Sequence, residues 1–329
     1  MRELIDRNIL DLLEGLFERL VSELSLFTND AQALCAIFML LYFGLKSYGM
    51  LSGDKPLEIV PLLRPFALAI VIVLWPLFIE TINLPAVVVT AKSKDLLKDR
   101  IDEVDAIQVE RRTKMAEIAR KLIEDSAELE KFDGASEDED FKILGVDFGK
   151  IFDEIKGYYV IILSKMRYLL VELLEFLVIT FFQVCSYLIF FLQIIFASIL
   201  IILGPFAFAF SVLPGFNDAY LHWLARYISV SLYTGIGYII MSLSMTLIRY
   251  ALEKELLLLD FVLQDETAFF FYISSNDGST NFYLVSLLVG GLAMLTIPII
   301  STWIISTSGI GNAITSMSRG AQRIYQLTK

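Results

Sequence analysis

Six polar residues fall on one side of a helix at about 100° per residue: Lys165, Glu172, Glu175, Gln183, Ser186 and Gln193. Gln183, Ser186 and Gln193 lie inside a run, Phe176 to Leu213, that carries no formal charge. Such a stripe offers hydrogen bonding and charge stabilisation, not bond making. A carboxylate, amide or hydroxyl facing lipid is costly, so the stripe must face protein or water. Two arrangements satisfy that demand: an interhelical hydrogen-bonded seam, or a lumen-facing stripe in an oligomer. Glu172 and Glu175 stand near the membrane entry, which suits an interfacial position.

No catalytic pattern accompanies the stripe. The chain has no Walker A sequence, no G-x-S-x-G, no H-E-x-x-H and no G-x-G-x-x-G after a strand. It is therefore not an ATP-driven motor of the P-loop type, and no enzyme activity is expected. Gly309-Ile310-Gly311 reads as a helix end or loop. His222 is the single histidine, and Cys35 and Cys185 are the two cysteines. So few ligands argue against zinc, haem or an iron–sulfur cluster, and no cofactor is expected. Both cysteines sit in apolar runs and read as buried, inert thiols. Arg64, Arg226 and Arg249 border apolar segments, where arginines snorkel to headgroups. Arg226 has the richest surroundings, because Asp218, His222 and Trp223 precede it. Asp218 and His222 stand at i,i+4 and can pair on a helix.

The elements that must hold these residues are membrane elements. The chain has 329 residues, of which 56% are hydrophobic, and a mean hydropathy of +0.66. Those values are ordinary for a polytopic membrane protein and extreme for a soluble domain. The 25 Phe and 14 Tyr suit lipid-facing surfaces and interfacial belts. A net charge of −11 argues against direct nucleic-acid binding over a broad basic surface.

Residues 1–29 form an amphipathic N-terminal helix, with apolar steps of three or four at Ile5, Ile9, Leu12, Leu16, Leu20, Leu24 and Phe27. The start lacks the pattern of a signal peptide. Acidic residues dominate the helix's polar face, which favours docking against a partner over adsorption to anionic lipid. Residues 30–82 hold transmembrane helices one and two. Pro61 and Pro65 sit in the first turns of the second, where proline is tolerated, and Trp75-Pro76 kinks its far end. Residues 83–147 form a hydrophilic, acidic helical loop, either a solvated excursion or a docking surface. Its FDGASEDED stretch, Phe132 to Asp140, reads as exposed.

Residues 148–203 form a long helix, amphipathic and then transmembrane, ended by Gly204-Pro205. Residues 204–226 make a re-entrant or interfacial segment. As one helix, Phe176 to Leu213 would reach about 57 Å, against a bilayer core of about 30 Å. Pro205 to Leu213 is too short to cross. Pro214 and Gly215 turn the chain back, and Trp223 and Arg226 anchor the next span at the interface. Residues 227–249 are transmembrane helix four, 250–281 an interfacial connector, 282–306 transmembrane helix five, and 307–329 a C-terminal tail. Ser231 with Gly235, and Ser286 with Gly290, fit the small-xxx-small pattern of close helix packing. The fold class is all-α: a polytopic membrane protein of about five transmembrane helices plus the short re-entrant piece. Lys and Arg in the short flanks do not settle its orientation.

Three segments carry a family resemblance: Glu58-IVPLLRPFALAIV-Ile72 with Trp75-Pro76, Leu203-GPFAFAFSVLPGFNDAYLHWLARYISVSLY-Thr234, and Ile297-PIISTWIISTSGIGN-Ala313. They include Pro61, Arg64, Pro65, Gly204, Pro205, Pro214, Gly215, Trp223, Arg226, Pro298 and Trp303. In content, order and spacing the chain resembles the TraJ proteins of conjugative transposons and plasmids, TrbL-like inner-membrane components of type IV secretion systems. The resemblance implies an oligomeric ring in the bacterial inner membrane, part of a channel or platform beneath the pilus. It implies other inner-membrane and pilus-base subunits as partners, with nucleic acid at most as transported substrate. It also implies a periplasmic N-terminus and central loop and a cytoplasmic C-terminus. The alternatives are a stand-alone secondary transporter, for which internal repeats are lacking, and a structural scaffold without a conducting path.

Overall fold

The computed structural model describes residues 4–5, 7–23, 27–52, 60–132, 142–143, 146–265 and 278–304. The chain folds into helices α1 (Arg7–Glu23), α2 (Thr28–Leu51), α3 (Val60–Val73) and α4 (Trp75–Phe132). A hairpin of two-residue strands, β1 (Lys142–Ile143) and β2 (Val146–Asp147), pairs Lys142 with Asp147. Helices α5 (Phe148–Phe210), α6 (Ala219–Ser231), α7 (Tyr233–Gln264), α8 (Gly278–Met294) and α9 (Ile297–Ile304) follow. The protein is an all-α membrane protein. Among the described residues, three helices are long and apolar enough to cross a bilayer, or up to five if each bent helix pair counts as one span. The acidic loop after Phe132, the segment 266–277 and the tail from 305 lie outside the described residues.

Two compact units form. One contains Lys98–Val184 and Ser242–Leu292; the other contains Ile5–Leu97, Cys185–Met241 and the chain from Ala293. In the second unit, α3 stops at Val73 and α4 starts at Trp75, with a bend of 86° between the helices. Pro76 is the second residue of α4, where the missing N–H costs no intrahelical bond. From there α4 runs to Phe132 without a break, so the hydrophilic helix is the outer part of α4 and not a separate excursion beginning at 83.

Gly204-Pro205 does not end α5, which continues to Phe210 with Pro205 inside it. A proline inside a helix leaves the carbonyl four residues earlier without its partner. Here that carbonyl belongs to Ile201, and the indole Nε1–H of Trp75 donates to it at 3.2 Å. Trp223 donates its own Nε1–H to the neighbouring carbonyl of Leu200 at 2.7 Å. Trp75 thus supplies the hydrogen bond that Pro205 removes, and Trp223 adds a second donor one residue earlier. The segment read as re-entrant, 204–226, is instead the end of α5, a turn, and the start of α6.

Trp223 is 5% exposed, so it is a core residue and not an interfacial anchor. It stacks on Tyr227 with 7° between ring planes and packs 5.1 Å from Trp75. Phe208 closes this cluster edge-on against both tryptophans. Arg226 is exposed on α6. Pro214 and Gly215 lie in the turn that sends α6 back along α5, as the bond from Trp223 to Leu200 requires. Arg64 donates to the carbonyl of Asn217 and lies 5.7 Å from the centre of the Tyr220 ring, tying the start of α3 to this turn. Pro65 is buried inside α3, and Pro61 is that helix's second residue.

Two further departures from the sequence reading have simple causes. The last apolar segment breaks at Leu295-Thr296, because Pro298 cannot continue α8 and instead occupies the second position of α9. Trp303 there is 75% exposed. The segment expected as a connector from 250 belongs to α7 as far as Gln264, since nothing in its sequence stops the helix.

The structure makes Gly204 a point where sign matters. A Cβ at that position would lie 2.3 Å from two carbons of Trp75 and 2.8 Å from Trp223. Helix propensity alone favours Gly204→Ala by about 1 kcal/mol. Overpacking instead predicts a net loss of about 1–3 kcal/mol. Thermal unfolding of the purified chain in detergent checks it, and a raised midpoint contradicts this packing.

Candidate functional site

The second unit contains a cleft of about 870 Å³. Helix α1 supplies Leu10, Leu13, Glu14 and Phe17 to its wall; α4 supplies Glu80, Asn83, Val87, Thr90 and Lys94 at alternating steps of three and four. Phe190, Gln193, Ile194 and Ile201 come from α5, Ser231 from α6, and Thr234 and Tyr238 from α7. The polar groups of α4 run from Glu80 to Lys94, about 21 Å at 1.5 Å per residue.

Hydrogen bonds fix most of these groups. Thr234 donates its hydroxyl to the amide oxygen of Gln193, whose nitrogen donates to the Ser231 carbonyl at 3.4 Å. Tyr227 donates to Asn83 at 2.9 Å. Lys94 Nζ binds Asp11 at 2.9 Å and Glu14 at 2.7 Å, and Tyr238 donates its hydroxyl to Glu14. This ionic knot sets the rotation of α1. Apolar residues occupy a wide arc of that helix, so its pattern alone leaves the rotation open. Leu10 and Leu13 are buried, whereas Leu12 and Leu16, part of the expected apolar stripe, are exposed. The helix docks on its own chain. Sequence reasoning also missed the α4 stripe, whose heptad-like steps were the available signal.

The expected stripe on α5 does not stay together. Gln193 and Ser186 are buried, and Gln183 is half-buried. Glu172 is exposed, and the side chain of Lys165 lies outside the described residues. Glu175 belongs to an ionic cluster in the first unit. Arg111, 3% exposed, binds Glu175 at 3.0 Å and the fully buried Glu255 at 2.8 Å. The Tyr283 ring lies 4.7 Å from the guanidinium carbon, and Gln108 donates to the Tyr283 hydroxyl at 3.0 Å. The other terminal nitrogen, Nη2, has no hydrogen-bond partner among the described residues. Arg111 lies in the segment read as a solvated helix. The signal was there: Leu97, Ile101, Val104, Gln108, Arg111, Met115 and Ile118 form one stripe.

Further pairs join α4 to α7. Glu103 meets Arg249 at 2.7 Å, Lys114 meets Asp260 at 2.7 Å, and Lys121 donates to the Leu263 carbonyl at 2.9 Å. Partner numbers rise together, so the two helices run parallel here. Lys121 also meets the negative end of α7. The small residues act as spacers. A Cβ on Gly235 would lie 2.8 Å from Val89, and one on Gly290 would lie 3.0 Å from Phe182 and Ser244. Ser231 and Ser286 donate to carbonyls of their own helices. Asp218 and His222 are joined by the His222 backbone N–H donating to the Asp218 carbonyl at 3.1 Å. Both cysteines are free and buried. Among the described residues no group of His, Cys, Asp and Glu is arranged to hold a metal.

A family model of homologues of TraJ from Bacteroides conjugative transposon matches residues 6–327. No curated protein and no solved structure matches the chain.

The ionic cluster predicts an asymmetry. Arg111→Met leaves Glu255 buried without its cation and costs about 3–5 kcal/mol. Arg111→Met combined with Glu255→Leu recovers most of that loss, because no buried charge is then stranded there. Thermal unfolding of the three proteins checks it; equal stability of single and double variants contradicts it.

Proposed function

Because the chain belongs to the family of homologues of TraJ from Bacteroides conjugative transposon, with a role in conjugation, we propose that it is a channel or platform subunit of a conjugative type IV secretion system in the bacterial inner membrane. In this reading it works by assembly, not catalysis. Its partners are other inner-membrane and pilus-base subunits and further copies of itself in a ring. DNA passes only as cargo, in keeping with a net charge of −11.

One observation supports this reading beyond family membership: apolar helices expose large hydrocarbon side chains while polar groups such as Gln193 and Glu175 are bonded inside the chain. Leu40 and Leu45 of α2, Ile70 of α3, Leu77 and Val87 of α4, and Leu188 and Phe191 of α5 are all exposed. Such a surface suits lipid and neighbouring helices. The inward bonding favours the seam over a lumen lined by α5 of a single chain, and any transfer path would form between subunits.

Deleting the gene in a donor strain is expected to drop conjugative transfer to background, with recovery on re-expression. The purified chain alone in sealed vesicles is expected to move no solute. Normal transfer without the chain, or solute uptake by the chain alone, overturns the proposal; the latter outcome is that of a secondary transporter.

A further inference from the structure

We infer that the cleft beside α1 is a binding site for a phospholipid whose headgroup carries a primary amine. Between Glu80 at one end and Lys94 at the other, its wall carries apolar side chains, Ile79, Leu84, Val87, Phe190, Ile194 and Ile201. Leu84 and Val87 are also exposed, so the rim continues the apolar outer surface of α4. Left empty in hydrocarbon, such a cleft would forfeit dispersion contacts, and apolar cavities do not hold water well. Its volume of about 870 Å³ suits a lipidic ligand.

The polar end selects the headgroup. On α4 an uncharged stretch from Thr81 to Ala91 separates Glu80 from the charges that resume at Lys92. Lys94 stands at the charged end of that stretch nearest Asp11 and Glu14. A lysine ammonium has three donors. Among the described residues, Asp11 and Glu14 take two of them. Lys94 is 40% exposed, which leaves the third accessible to a phosphate oxygen. Asp11 is 64% exposed beside it and can accept N–H bonds from an amine. One cation between two carboxylates fits a zwitterion: phosphate on Lys94, ammonium on Asp11. An anionic glycerol headgroup meets the same phosphate site but is repelled by the carboxylates. A choline headgroup has the charge but no N–H to donate. The inference is independent of the role proposed in transfer, because it rests on the cleft alone.

The test uses the full chain purified in mild detergent. Native mass spectrometry reads the retained lipid. Thermal unfolding is measured with added dioleoyl phosphatidylethanolamine, phosphatidylcholine or phosphatidylglycerol. The ethanolamine lipid is expected to be retained and to raise the unfolding midpoint most. Losing one charge-assisted hydrogen bond predicts about tenfold weaker retention in Lys94→Gln and in Asp11→Asn. Ala91→Phe, at an exposed cleft-lining position, is expected to abolish retention while leaving helical content unchanged. Asp11→Asn lies on the surface and keeps the test open should another variant misfold. Equal retention of all three lipids, preference for phosphatidylglycerol, wild-type retention in the variants, or no retained lipid overturns the inference.

Discussion

One hydrogen bond allows the longest apolar helix to pass through a proline: the indole N–H of Trp75 on the carbonyl of Ile201. A carbonyl without a partner in hydrocarbon costs several kcal/mol. Without Trp75, α5 would have reason to stop where its sequence suggests. The donor comes from the first residue of α4, immediately after the 86° bend. Bend and proline are therefore complementary. The bend places Trp75 against α5, and Gly204 leaves room for its ring. Trp223, Tyr227 and Phe208 then pack on the same ring system, which fixes α6 and the turn before it.

Charge is handled in the same way, by pairing inside the chain. Arg111 takes two carboxylates in one unit, and Lys94 takes two in the other. The two sites differ in burial. Arg111 and Glu255 are sealed, so their value lies in holding α4, α5 and α7 in register, and breaking the pair strands a charge. Lys94 is partly open to its surroundings and keeps an accessible donor. Burial thus separates a structural ion cluster from one able to meet a ligand.

Much of this was legible in the sequence. Hydropathy gave the class, and the helices α2 and α5 stand where their apolar runs lie. The close packing at Gly235 and Gly290 followed from the small-xxx-small spacing. The misses share a cause: local signals were read as ends when a distant residue compensated for them. Gly204-Pro205 looks like a helix stop until Trp75 is known to sit opposite. Trp223 looks like an interfacial anchor until its ring is found inside a cluster of aromatics. Arg111 looks solvated because its neighbours are charged, yet its place in an apolar stripe marks it as buried. In α1 the apolar arc was too wide to fix rotation, which the bonds from Lys94 and Tyr238 decide.

The most direct measurement is a double-mutant cycle between Trp75→Phe and Pro205→Ala, read by thermal unfolding in detergent. In the native background Trp75→Phe keeps most of the ring but orphans the Ile201 carbonyl, at about 1–3 kcal/mol. In the Pro205→Ala background the alanine amide can satisfy that carbonyl through the helix itself, so the same substitution costs much less. A large coupling of that sign is the predicted result. Equal costs in the two backgrounds would show that Trp75 only fills space and that α5 does not depend on its hydrogen bond.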